Sequence, residues 1–182
     1  MADLTTLANA KAWLSVSSAT DDALLSRLIS AASDYIQTWL NRDIAMATYT
    51  SIRDGNSGLR LMANNYPVSA VTSVIIDQQT IPASIAGGAG YVFDSTSIML
   101  IGGYKFTRGF QNVTIQYVAG YAITPKEIEQ AAIELVSMRY KERDRIGQVS
   151  KSIGGETVTF SQKDFSDSIE TTLTNYKKVI TL

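Results

Sequence analysis

The chain has no cysteine and no histidine. The first absence excludes disulfides, thiolate metal sites and cysteine nucleophiles, and the second removes the commonest metal ligand and general base. Charge is also scarce: 18% of the residues are Asp, Glu, Lys or Arg, against about a quarter in an ordinary soluble chain. Part of the surface is therefore expected to be covered, for instance by neighbouring subunits. The formal net charge of −1 leaves no basic excess to grip phosphates in bulk, which disfavours tight nucleic-acid binding. No apolar run approaches a membrane span. Asp3, Asn9 and Lys11 interrupt the first twenty or so positions where a signal peptide needs an apolar core. The expectation is a protein made in the cytosol that acts there or in an assembly built there.

What is present reads as 182 residues of one domain, or one domain carrying an insertion. A first short helix is expected after Asp3, which would cap it, with Leu4, Leu7, Ala10 and Leu14 on one face. Ser15 to Ala19 is polar. A second, long amphipathic helix starts at Thr20 or Asp21 and carries Leu25, Leu28, Ile29, Ala32, Ile36, Trp39 and Leu40. Asp21 and Asp22 suit the positive end of its dipole. Trp13 and Trp39 on these helices read as core or interface packing.

From Ala45 the period changes to that of strands, with Thr48, Tyr49, Thr50 and Ile52, then Val71, Val74, Ile75 and Ile76. Asp54-Gly55-Asn56-Ser57-Gly58 reads as a turn between paired strands. Further strands are expected at 59–62, 90–93, 97–101 and 112–118. Between Ala45 and Val118 the charges are few, so the sheet is either covered or exposes Ser, Thr and Tyr.

The stretch Tyr117 to Gly147 carries the strongest signals. A strand ends at Ala119-Gly120, and Thr124-Pro125 opens a helix in which Thr124 and Glu127 have the spacing of a capping box. Ile128, Ala131, Ala132, Leu135 and Met138 share a face. Arg139, Lys141, Arg143 and Arg145 crowd the helix end, where the macrodipole favours cations, and Glu142 and Asp144 dilute them. The cluster reads as a solvated helix end or subunit contact in preference to a DNA grip. Residues 147–165 read as a mobile arm or hairpin, and a last helix near Asp167 carries the stripe Ile169, Leu173, Tyr176, Ile180. The fold class is thus α+β: a small helical bundle body (about 4–43 and 124–146), an inserted antiparallel β subdomain (about 45–118), and a C-terminal arm plus helix (about 147–182).

No chemistry converges. Ser150-Lys151-Ser152 sits in a Gly-flanked segment that would not desolvate the lysine. Asp43 with Asp54, and Asp77 with Asp94, lack a cation-loop spacing and are better read as turn residues. The glycine pairs lack a phosphate-cradle pattern. The expectation is no catalytic residue, no metal and no cofactor.

Leu7, Lys11, Trp13-Leu14, Asp21-Asp22, Leu24-Leu25, Ile29, Ala31-Ala32, Ile36, Leu40 and Arg42, together with GYAITP and RYKERDRIG, resemble the head-tail connector (adaptor, or head completion) family of tailed bacteriophages. The match covers the two ends of the chain, and Ala45 to Val118 shows little that is family-specific. The resemblance implies a structural virion protein in the neck, made in the host cytoplasm. It would form a homo-oligomeric ring, dodecameric on the virion, against the portal protein and a head-tail stopper or other neck protein. DNA would pass through the lumen without sequence-specific binding, and no membrane would be involved. Under that reading Arg139, Arg143, Arg145, Phe165, Ile169, Leu173 and Tyr176 are the expected subunit or portal interface. Reversal of Arg143 or Arg145 is expected to weaken assembly more than the fold, and removal of the chain from Phe165 onward to spare helical content while blocking attachment to the portal. Two other readings stay open: a different neck or tail-completion protein, and a carbohydrate- or small-ligand-binding β module built on Tyr66, Tyr91, Tyr104 and Phe106.

Overall fold

The computed structural model describes residues 2–143, 150–153, 156–159 and 167–178. Its contacts divide the chain into two compact units, residues 1–42 with 124–182 and residues 43–123. The fold class is α+β, with helices gathered in the first unit and the two larger antiparallel sheets in the second.

The helical unit contains α1 (Leu7–Leu14), α2 (Asp22–Leu40), α3 (Lys126–Glu142) and α4 (Asp167–Thr174). Thr6, not Asp3, caps α1, its hydroxyl accepting from the Asn9 amide at 3.2 Å. The reason lies two residues before the cap: Leu4 is buried and its amide donates to Ser33 Oγ of α2 at 2.9 Å, so the chain cannot turn into a helix until it has passed α2. The left-handed residue Asn41 (φ 55°) ends α2, a conformation that asparagine tolerates.

Helix α3 packs against α1, α2 and α4. Ile128, Ala131, Ala132, Ile133, Leu135 and Val136 are all buried, so its apolar arc is wider than one stripe. The expected capping box does not form, and no side chain caps the helix. Pro125, its φ fixed by the ring, offers its carbonyl to the amides of Ile128 and Glu129. Glu127 instead accepts from the Tyr176 hydroxyl, 2.8 Å away and just beyond α4.

The β unit holds a four-stranded antiparallel sheet in the order β1 (Ala47–Gly55), β7 (Gly109–Ala119), β3 (Val68–Ile76), β4 (Gln79–Ile81). A three-stranded sheet runs β2 (Arg60–Met62), β6 (Ser97–Ile101), β5 (Gly90–Phe93). Their inner faces share one cluster, in which Val74, Val113, Ile115 and Tyr117 meet Leu61, Ile98, Leu100 and Phe106. The Asp54–Gly58 segment is not a hairpin turn, because β1 pairs with β7 and β2 with β6, so the segment carries the chain from one sheet to the other. It is anchored across the chain: Asp54 accepts from the Gln111 amide at 2.7 Å, and the Gly55 amide donates to Asn112 Oδ1 at 2.9 Å. A Cβ at Gly55 would lie 1.7 Å from the Thr107 carbonyl oxygen, so only glycine fits that crossing. A last pair of strands, β8 (Ser150–Ile153) and β9 (Glu156–Thr159), forms a separate antiparallel ladder in the residue range expected for an arm or hairpin.

Asp94 organises the turn from β5 to β6. Its carboxylate accepts from the amides of Thr96 (2.8 Å) and Ser97 (2.7 Å) and from both hydroxyls, and these bonds, the Thr96 amide first, hold its pKa down to about 2. Asp94 is thus more acidic folded than unfolded, and its contribution is complete above the ordinary carboxylate value of 3.8 and fades as the pH falls toward about 2. Thermal melts of Asp94→Asn are expected to lie below wild type at neutral pH and to converge with it as the pH approaches 2. A gap that stays constant over that window contradicts this role for the carboxylate.

Candidate functional site

Helix α2 has two adjacent apolar rows. Leu25, Ile29, Ala32, Ile36 and Leu40 are buried against the rest of the bundle. One position round the helix, Leu24, Leu28 and Ala31 follow the same spacing but stay at least partly exposed. They line an open groove of about 530 Å³ together with Arg27 of α2 and Arg139, Glu142 and Arg143 at the end of α3. An apolar floor edged by arginines suits a protein partner whose surface is apolar with acidic flanks, since guanidinium groups make paired hydrogen bonds to carboxylates.

The groove has its shape because the end of α3 is fastened to the start of α2. Arg143 lies 3.7 Å from Asp21 Oδ2, and the Tyr140 hydroxyl donates to the same carboxylate. The Arg143 guanidinium also stacks 4.4 Å from the Tyr140 ring, and Arg139 sits 5.1 Å from the ring of Tyr35. Lys11 meets Asp22 at 2.6 Å, which holds α1 to the same point. The acidic pair at 21–22, expected to serve the helix dipole, therefore also ties three helices together.

The structure brings Arg139 and Arg143 of the expected interface to this groove. Arg145 and Phe165 lie outside the described residues, as does Ile180. Ile169 and Leu173 do not join the groove: both are buried within the helical unit, Leu173 completely, with α4 against α3. Tyr176 is committed to Glu127. Ile169 and Leu173 of α4 thus pack within their own subunit, so truncation at Phe165 would also strip cover from α3. Arg143 has a partner inside the subunit, Asp21, so its reversal bears on the fold as well. Leu24, Arg27, Leu28 and Ala31 were not singled out from sequence as a site, although the second row at helical spacing was there to be read.

The other candidates disperse. Asp77 accepts from the Thr107 hydroxyl and from Asn112 Nδ2 at 2.9 Å, the Thr107 bond first in lowering its pKa, and Asp43 accepts weakly from Tyr49 at 3.4 Å. Tyr91 and Phe106 belong to the β core, and the Tyr91 hydroxyl donates to the Val71 carbonyl at 3.1 Å, which leaves no aromatic platform of those two for a sugar. Trp13 is exposed, contrary to a core role, and Trp39 lies under Lys177, whose Nζ is 4.1 Å from the ring centroid.

A family model described as head completion protein matches residues 3–179. Among solved structures, the fold is similar to a chain in the neck of an empty gene transfer agent (GTA) particle computed with C6 symmetry, with a TM-score of 0.62 at 17% identity over 98% of this chain and 92% of that one. A chain in the virion of the native GTA particle gives 0.61 at 18% identity, covering 98% and 92%. One in the neck of the native particle computed with C12 symmetry gives 0.58 at 16% identity, covering 97% and 90%. No curated protein matches the chain.

If Asp21 fastens the end of α3, Arg143→Glu places two carboxylates together and lowers subunit stability by about 1 kcal/mol, a small figure because the pair is part-exposed. Arg27→Glu, on an exposed position of the same groove, is expected to stay within about 0.5 kcal/mol of wild type. Urea unfolding of the two variants checks the difference, and equal midpoints contradict the fastening.

Proposed function

Since the chain belongs to the head completion protein family, we propose that it is a structural subunit of a virion neck. Copies close into a homo-oligomeric ring, dodecameric on the particle, that joins the portal to the next neck or tail component and surrounds the DNA channel. The observation that carries this reading is the α2–α3 groove, an apolar surface edged by Arg27, Arg139 and Arg143 and left open among the described residues. In a ring each subunit offers one face to a different face of the next, so a modest contact repeated around a closed circle becomes a stable whole. The shared fold with chains in particles computed with C6 and C12 symmetry supports the same arrangement.

The charge balance supports a conduit. A lumen dense in Lys and Arg would bind passing phosphates and release them only against the lost counterion entropy, whereas a chain of net charge −1 does not impose that brake. The segment from Phe165 through α4 is proposed to meet the portal or the neighbouring subunit. Within it, Ile169 and Leu173 fix α4 against α3, and Tyr176 fixes the residues beyond it through Glu127. Arg145 is proposed to belong to the subunit or portal interface.

Leu24 is the residue to change, because it is 36% exposed and its loss leaves the core intact. Leu24→Asp is expected to melt with wild type yet fail to assemble, alone or on portal rings, as read by light scattering. Assembly of that variant at wild-type concentration removes the groove from the interface.

A further inference from the structure

The β unit leaves one long strand edge unpaired. β1 is the outer strand of its sheet, bonded to β7 on one side and to no strand on the other among the described residues. The remaining outer strands are of the kind proteins use to blunt an edge: β4 and β2 have three residues each and β5 has four, whereas β1 has nine. Long edges are ordinarily protected by lysine, proline or a bulge. β1 has neither residue, its register shift is confined to Arg53–Gly55, and from Ala47 to Ile52 it carries no charge.

The same chain also carries a β ribbon without a sheet. β8 and β9 pair with each other in register from Ser150–Thr159 to Ile153–Glu156 and with no third strand among the described residues. A two-stranded ribbon is marginal in water by itself and becomes stable on joining a larger sheet. One chain therefore holds both an open strand edge and a ribbon in need of one. Two such unlike, complementary features on every copy are what a head-to-tail contact requires.

We propose that the β8–β9 ribbon of one copy adds to the β1 edge of the next, extending the four-stranded sheet of each subunit with two strands from its neighbour. This rests on the ring reading above and adds, beside the α2–α3 groove, a second contact between its subunits. Backbone hydrogen bonds would supply the affinity, as in other cases of strand addition. The uncharged stretch Ala47–Ile52 is long enough for a strand of four residues, and its exposed Thr48, Thr50 and Ile52 would continue onto the added strands as one sheet face.

The absence of cysteine makes the test clean. Thr50→Cys is mixed in turn with single cysteine variants at each position of 150–153 and 156–159, at a concentration where light scattering shows assembly, and the mixtures are oxidised and run on denaturing gels. Neighbouring strands bring opposed residues within disulfide reach, whereas alternate residues face away. The expected result is a covalent heterodimer whose yield alternates with a period of two along β8 or β9. Doubly substituted chains built from the best pair should give a ladder of multimers. Absent cross-links, yields without alternation, or a disulfide closed within one doubly substituted chain each overturn the proposal. Should the protein assemble while those results hold, strand addition fails and the ring stands; should it never assemble, alone or with portal, the ring reading itself fails.

Discussion

The pairing of Ala45 with Tyr121 is the contact on which the rest of the structure depends. The Met46 amide donates to the Tyr121 carbonyl at 3.0 Å and the Tyr121 amide to the Ile44 carbonyl at 2.8 Å, so residues 43–123 leave and return at one place. Gly120, at φ 107°, makes this closure: a Cβ there would lie 2.5 Å from the Ala45 carbonyl oxygen. With its ends joined by its own hydrogen bonds, the insertion charges little closure entropy to the helices on either side. Helices α2 and α3 can then pack as though consecutive, and a bundle forms from the two ends of the chain.

Once α2 and α3 lie together, the polar residues at their ends decide what remains exposed. Asp21 receives Arg143 and Tyr140, Asp22 receives Lys11, and Glu127 receives Tyr176. Each ties a helix end to a neighbour, and none is deeply buried, so their value is more in fixing geometry than in stability. The geometry so fixed sets Arg139 and Arg143 along the rim of the row Leu24, Leu28, Ala31. A basic helix end that looks from sequence like a solvated terminus is thereby half internal brace and half rim.

The legible parts of the fold were those with a strong local period. The α+β class, the second helix and the Pro125 helix follow from apolar spacing alone, because a long amphipathic helix announces its buried face whatever it packs against. The errors share a cause in distant partners. Apolar spacing makes Leu4 helical, but Ser33 holds its amide and delays the helix to Leu7. The composition of Asp54–Gly58 signals a turn between paired neighbours, but pairing runs to β7 and β6, far along the chain. β4 went unseen because its hairpin turns on Asp77-Gln78, both at positive φ, where Asn-Gly would have signalled the same turn. The groove shows a different limit. Its leucines lie one step round α2 from the core row, and sequence cannot tell a wide core face from a core face beside an open one.

Among the described residues a groove and a strand edge are left open, on a chain whose net charge is −1. Closure into a ring is tested most directly by the mass of the complex formed when purified protein is mixed with portal rings. The expected result is one discrete species carrying a full circle of 19.8 kDa subunits, twelve on a twelvefold portal. A complex holding a single copy, or portal and subunit sedimenting apart at every concentration, would contradict it.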